Sequence, residues 1–450
     1  MTNAAPPQTT QPEQSTALTL PMLAPIHQAT RHSPLADVGG EVRRQWLEAP
    51  IKERFRPGMR VAVGVGSRGI RDILPITQAT IAALRELGTQ PFVVAAMGSH
   101  GGATAEGQRQ LLAEYGIVES NLGVPVKTDM TAVRVGTNSW GEPVYWDKNA
   151  WEADAVVTVS RVKPHTDFRG RYESGIVKML VIGLGKRDGA AQHHRWGVRG
   201  LRDMIPESCG IILQNTPFLA GLAVLENADE QTARVKVVDK FSLLDEEPGL
   251  LVQARDMMAR LPFDRLDLLV IGEIGKNYSG AGIDPNVVGR LLMEGKDEFP
   301  TPNITRICAL DLSPESHGNG VGIGIADLTT ERFLEKIDPV PFRLNTLTSC
   351  FLWRAKLPLS FPNDRACIQM GLQTCWQPRI EELRMAVIAN TLELSDLWAS
   401  PALLAEAEGR NDLNVIGELA DLPFDQAGNL EQARMFPHAL CGRRSAATRH

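Results

Sequence analysis

Cysteine is scarce in this chain of 450 residues. The six present (Cys209, Cys308, Cys350, Cys367, Cys375 and Cys441) are scattered, with no CxxC pair among them. That spacing excludes a zinc-ribbon or iron–sulfur site and reads as reduced, mostly buried thiols in a cytoplasmic setting. Long apolar runs are missing too: none approaches the roughly 18 residues of a membrane span. The opening MTNAAPPQTTQPEQSTA has neither a basic start nor an apolar core, so it reads as a disordered lead-in rather than a secretion signal. Neither sign of charge dominates. A formal net charge of −6 gives no reason to expect nucleic acid or an anionic membrane as partner, which leaves a small molecule. Nor is there an internal repeat.

What is present is an ordinary globular composition, 43% hydrophobic and 22% charged, in a chain longer than one core usually serves. RVAVGVG (60–66) and PFVVAAMG (91–98) are short, β-branched runs ending in glycine, as buried parallel strands are. The helical patterns ITQATIAALRELG (76–88) and TAEGQRQLLAEYG (104–116) alternate with them. ADAVVTVS (153–160) continues the series, and RLDLLVIGE (265–273), TRICALDLS (305–313) and RMAVIANT (384–391) suggest a second unit of the same kind. The expectation is two α/β domains with mainly parallel sheets. Their bounds are a disordered arm at 1–38, an N-terminal domain at 39–262, a C-terminal domain at 263–430 and a tail at 431–450.

The loops after these strands carry the chemistry. GVGSRG (64–69) matches GxGxxG, yet the next strand ends in VVAAMGSH, without the acidic residue a dinucleotide ribose requires. Arg68, between glycines, can instead offer a two-bond fork to a carboxylate. His100 follows the second strand, just ahead of a helix whose dipole favours the neutral imidazole a base needs. His165, in VSRVKPHTD, follows the third. Two histidines on loops after different strands suit proton transfer at opposite faces of one carbon, the requirement of a racemase or epimerase. The run IVKMLVIGLG holds Lys178 in an apolar setting, where a lysine costs stability unless it snorkels, is paired or is chemically used. A desolvated lysine can carry a covalent cofactor, and the following His193 and His194 can ligate a transition metal. Further on, GEIGKNYSGAGIDPNVVGR and LDLSPESHGNGVGIGIADLTTER are glycine-dense loops that hold Lys276, Asn277, Asp284, His317, Asn319 and Asp327.

Taken in order, GSRG, GSHGGAT, KPHTDF, ESGIVKMLVIGLGK with HH, EIGKNYSGAGIDPNVVGR and DLSPESHGNGVGIGIADLTT resemble the nickel-dependent lactate racemase superfamily over about residues 40 to 400. The resemblance implies an active site in the cleft between the two domains. It also implies nickel held in a pyridinium-3-thioamide-5-thiocarboxylate mononucleotide, the nickel-pincer nucleotide, attached to a lysine. On that resemblance Lys178 takes the thioamide link, and His194 rather than His193 completes the nickel coordination. Ser67 and Gly101 contact the cofactor, His100 and His165 are the acid/base pair, and Arg68 and Lys276 hold the substrate carboxylate. The reaction implied is racemisation or C2-epimerisation of a 2-hydroxy acid: hydride leaves C2 for the cofactor and returns to the other face. The enzymes that make the cofactor are then partners, nucleic acid and membrane are not, and a homodimer is compatible. Two departures mark a divergent branch. Val65 stands where lactate racemases have an acid before the clamp arginine, and TDFRGRYESGIV is a longer span between histidine and lysine than the family has. The alternatives are an NAD-linked oxidoreductase using GVGSRG and a non-catalytic nickel-nucleotide binding protein.

Overall fold

The computed structural model describes residues 19–67, 69–293 and 298–440. The disorder expected of the first eighteen residues, the whole of Arg68 and Cys441 fall outside the described residues.

The described chain opens with strand β1 (Ala24–Gln28). Next come β2 (Arg60–Val65), β3 (Gln90–Ala95) and β4 (Val126–Lys127), followed by a hairpin of β5 (Ala132–Thr137) and β6 (Pro143–Asp147). β7 (Ala155–Arg161), β8 (Phe218–Glu226) and β9 (Thr232–Asp239) complete a six-stranded sheet in the order β4-β3-β2-β7-β8-β9. Its strands are parallel except β9, which folds back on β8. β10 (Arg265–Ile271), β11 (Asn303–Ala309), β12 (Leu328–Thr330), β13 (Leu359–Phe361), β14 (Met385–Ile388), β15 (Asp396–Ala399) and β16 (Leu413–Val415) form the second sheet. Its order is β13-β12-β11-β10-β14-β15-β1-β16, parallel from β13 to β14 and antiparallel beyond. The α/β reading holds, with mainly parallel mixed sheets.

Alternation along the strands explains the layers. In β2, Val61, Val63 and Val65 face the helices Val38–Glu48 and Ile73–Glu86, with Trp46 and Ile76 buried against them. Ala62, Phe92, Val94 and Val156 face the other way, onto Trp146, Ile176, Val177 and Leu180. Both faces of the sheet are therefore covered, as parallel sheets require. The strands continuous in sequence were legible as apolar runs for that reason.

Two parts of the expected organisation are corrected. Ala24–Gln28, assigned to a disordered arm, is a strand between β15 and β16, with Leu23 and Ile26 fully buried. The expected tail contains the helix Gln432–Met435, and Met435 and Phe436 bury against the second sheet. Cys209, Cys308, Cys367 and Cys375 are buried thiols as expected, whereas Cys350 is exposed. Among the described residues no helix is long and apolar enough to cross a membrane.

Candidate active site

The carboxyl ends of β2, β3 and β7 lie side by side, and the loops leaving them surround a cleft of about 720 Å3, open mouth included. Gly66 and Ser67, Met97 and His100, Arg161 and Lys163, and parts of the segment 174–183 that include Lys178 form its walls. All of these come from the first sheet's half of the chain. Among the described residues the second half reaches this region where it grips the loop that bears His165, and it contributes nothing to the described lining.

His100 is placed by a tight turn after β3. Gln108, fully buried, donates from Nε2 to Gly98 O (2.9 Å) and His100 O (3.3 Å), while Tyr115 Oη donates to Ser67 O (3.0 Å). The two loops are joined by Ser67 Oγ and His100 Nδ1 at 2.5 Å. Gly101 adopts φ +64, and a Cβ there would stand 2.5 Å from the Gly107 backbone, so glycine is required for the turn to pack on its helix. Gly101 does not line the cleft. Neither Gln108 nor Tyr115 had a signal in the sequence: Gln108 bonds the backbone of the turn before its own helix, and Tyr115 that of a turn 48 residues away.

His165 sits in a loop closed by reciprocal backbone bonds between Lys163 and Ser174. The long span TDFRGRYESG is thus a pinned loop. Glu173, buried, accepts from His165 N (2.7 Å) and Gly170 N (3.1 Å) and pairs with Arg255 (2.5 Å). The imidazole is 8% exposed and stacks on Phe168, ring centroids 4.5 Å apart. Its Nδ1 accepts from Asp167 N (3.1 Å), and its Nε2 lies 2.7 Å from Lys178 Nζ.

Lys178 closes the short helix Ile176–Lys178 and continues into a π-helical turn, Met179–Gly183. Ile176, Val177, Leu180 and Val181 bury, while Lys178 points into the cleft. Gly183 is forced by close approach: a Cβ would stand 2.6 Å from Ala96 O. The lysine that is truly buried is a different one. Lys186 is 0% exposed, with Nζ 2.7 Å from both Asp147 Oδ2 and Ala95 O, at a φ of +57 that breaks the helix after Gly185.

The Lys178 helix begins on Glu247, whose Oε2 accepts from Ile176 N (2.7 Å) and Val177 N (3.1 Å). Burial pushes this carboxyl up from 4.5 to about 7, against the pull of those two backbone bonds. Between those pH values the folded protein keeps a proton that the unfolded chain has released. This group therefore makes stability fall as pH rises through that window, by at most roughly 3 kcal/mol, and leaves it level above. Glu247→Gln is expected to lose that part of the slope. Urea unfolding across the window checks it, and parallel curves for variant and parent would refute it.

The second half of the chain grips the His165 loop from outside. Arg354, 1% exposed, donates to Asp167 Oδ1 (2.5 Å), Thr166 O (2.9 Å) and Leu291 O (2.9 Å), and Asn286 Nδ2 donates to His165 O (3.4 Å). Lys276 stands near Asp167 and Arg354. Burial draws its amine down to about 8, opposed by Asp167. It does not line the cleft, and its Nζ donates to Gly280 O (3.0 Å).

Of the two neighbouring histidines, His193 is built into the core. It is 1% exposed, with Nδ1 at 2.8 Å from Gly189 O and Nε2 at 3.0 Å from Ser208 Oγ, and burial holds its ring below the ordinary range. His194 is exposed at the end of the helix Lys186–His194, outside the cleft lining. Ser67, His100 and Lys178 line the cleft, His165 stands behind the lining and meets it through Lys178 Nζ, and Gly101, Lys276 and His194 are outside the lining as well. Val65, fully buried, cannot serve as an ionic partner.

Residues 22–202 match the family model described as the lactate racemase N-terminal domain. That range contains the cleft and excludes Lys276. Among solved structures the chain is similar to the lactate racemase apoprotein from Thermoanaerobacterium thermosaccharolyticum, at 12% identity and a TM-score of 0.48, over 75% of this chain and 86% of that one. A likeness that distant says nothing of substrate or chemistry. No curated protein matches the sequence.

Proposed function

Because residues 22–202 belong to the lactate racemase N-terminal domain family, we propose that this chain is a racemase or C2-epimerase of a 2-hydroxy acid that works with a lysine-linked nickel-pincer nucleotide. The observation that carries the reading is that Lys178, 2.7 Å from His165 Nε2, lines the same cleft as His100 and Ser67.

The residues present fit such a cofactor. Among the described residues no carboxylate lines the cleft, Lys163 and Arg161 bring positive charge to it, Arg161 with Glu226 paired behind it, and Ile70, Val159, Met179 and Ile182 give it an apolar wall. An anionic mononucleotide with a flat ring suits that combination. Among the described residues no group of three or more His, Cys, Asp or Glu side chains could hold a metal. A nickel whose other donors belong to the cofactor needs one protein ligand, for which His194, uncommitted to the core, is the better candidate than His193. Lys178 holds the cofactor, and Ser67 borders it. When bound, the group supplies the hydride acceptor.

The chain's own part is to hold the acid and move protons. His100 and His165 stand on separate loops, each able to take a proton from the C2 hydroxyl or return one. Arg68 is the carboxylate partner in this reading, and Lys276, which lies outside the cleft lining beside Asp167, can join it only by leaving Gly280 O. An enantiopure panel of 2-hydroxy acids, incubated with protein produced alongside the cofactor-making enzymes, is expected to lose optical purity for at least one member. Chiral chromatography reads the result. Cofactor-loaded protein that leaves every member unchanged would favour the non-catalytic carrier.

A further inference from the structure

The hydrogen bonds around His165 fix where its proton lies. Asp167 N–H can only donate, so Nδ1 must present a lone pair to it at 3.1 Å. The Asp167 carboxylate does not compete: its Oδ2 is 3.6 Å from Nδ1, beyond bonding range, and its Oδ1 is taken by Arg354 at 2.5 Å. A neutral ring with a bare Nδ1 carries its hydrogen on Nε2. The partner of Nε2 at 2.7 Å is Lys178 Nζ, which must then accept. An ammonium has no lone pair; an amine does.

We propose that in the chain without its cofactor Lys178 is an uncharged, nucleophilic amine that captures 2-oxo acids as a Schiff base. The cleft selects this class by two features: Lys163 in its lining attracts a carboxylate, and the amine requires an adjacent carbonyl. In the step, the Nζ lone pair bonds to C2 of the oxo acid as the C=O π pair moves to oxygen. His165 Nε2–H hands that oxygen a proton and recovers one from nitrogen. Repeating the exchange releases the oxygen as water and leaves C2=Nζ, so no oxidant or reductant is consumed. His165 would therefore act on the lysine first. Once Nζ is acylated it loses the lone pair that engages Nε2, and the imidazole is released to face a substrate.

This inference goes beyond the racemase reading and does not depend on it, because it concerns the unloaded chain. The test is incubation of purified, cofactor-free protein with pyruvate and sodium cyanoborohydride, followed by intact mass and peptide mapping. The expected result is a single reduced adduct at Lys178, forming at least about tenfold faster than at any other lysine. Lys178→Arg should abolish it, His165→Gln should slow it by a similar factor, and lactate should give none. Adducts spread evenly over the lysines of the parent protein would overturn the proposal without recourse to any variant. Labelling of a folded His165→Gln at the parent rate would overturn the role given to His165. Failure here together with successful cofactor loading would leave the racemase reading intact.

Discussion

His165→Ala is expected to racemise the true 2-hydroxy acid ~10²–10⁴-fold more slowly than the parent protein, the range usual for loss of one acid/base group. The ring is held from four sides: Asp167 N at Nδ1, Phe168 beneath it, Glu173 at its backbone nitrogen and Asn286 at its carbonyl. Such over-determination sets an imidazole's direction to within the tolerance that proton transfer demands. A fall in rate can also come from poor cofactor attachment, since the same ring touches Lys178. Rates normalised to the cofactor-bearing fraction, taken from intact mass, separate the two. His100→Ala should show a comparable loss with attachment unchanged, because its ring is bonded to Ser67 Oγ on the loop after β2. Normalised rates near the parent value in both variants would end the paired acid/base assignment.

The second large effect concerns stability. Asp147→Ala is expected to cost about 3–5 kcal/mol, because it leaves the Lys186 ammonium buried without its countercharge. Asp147 is 1% exposed and Lys186 0%, so water cannot replace the lost partner without opening the core. The same carboxylate also caps the turn at Ala150 N (2.8 Å), which adds to the loss. Lys186→Met in the Asp147→Ala background should recover much of it, since an apolar pair of similar size carries no unpaired charge. Denaturant unfolding of the two variants and the parent measures both numbers. A loss below about 1 kcal/mol for Asp147→Ala would mean that the ammonium reaches solvent. The site is involved as well: Lys186 ties the segment after Lys178 to the end of β3 through Ala95 O, so a loosened pair should also impair cofactor loading.

The sequence carried β2, β3, β7, β10, β11 and β14 plainly, because each is an apolar run covered on both faces, but not the parallel strands β4, β8, β12 and β13. It carried the histidines and Lys178 too, because loops at the carboxyl edge of such strands are where a ligand binds. It misjudged which lysine bears the burial penalty. IVKMLVIGLGK contains two, and only the fold shows Lys178 opening into a cleft while Lys186 meets Asp147 across 39 residues. β1 escaped notice because five residues containing a proline, next to a polar lead-in, have no periodicity of their own. Their place is set by pairing with Ala399 and its neighbours at the far end of the chain. Arg354 and Asn286 were equally invisible, since each acts by reaching a backbone carbonyl or carboxylate remote in sequence. Nothing local in the sequence shows that the Glu247 carboxylate heads the Lys178 helix.

The most direct measurement of the central claim is intact mass with peptide mapping and nickel analysis, on protein produced together with the cofactor-making enzymes. The account predicts a nucleotide-sized increment on Lys178 and about one nickel per chain. Lys178→Ala should lose the increment, and His194→Ala should keep the increment while losing nickel. An active preparation in which Lys178 is unmodified, or in which nickel follows His193 instead of His194, would contradict it.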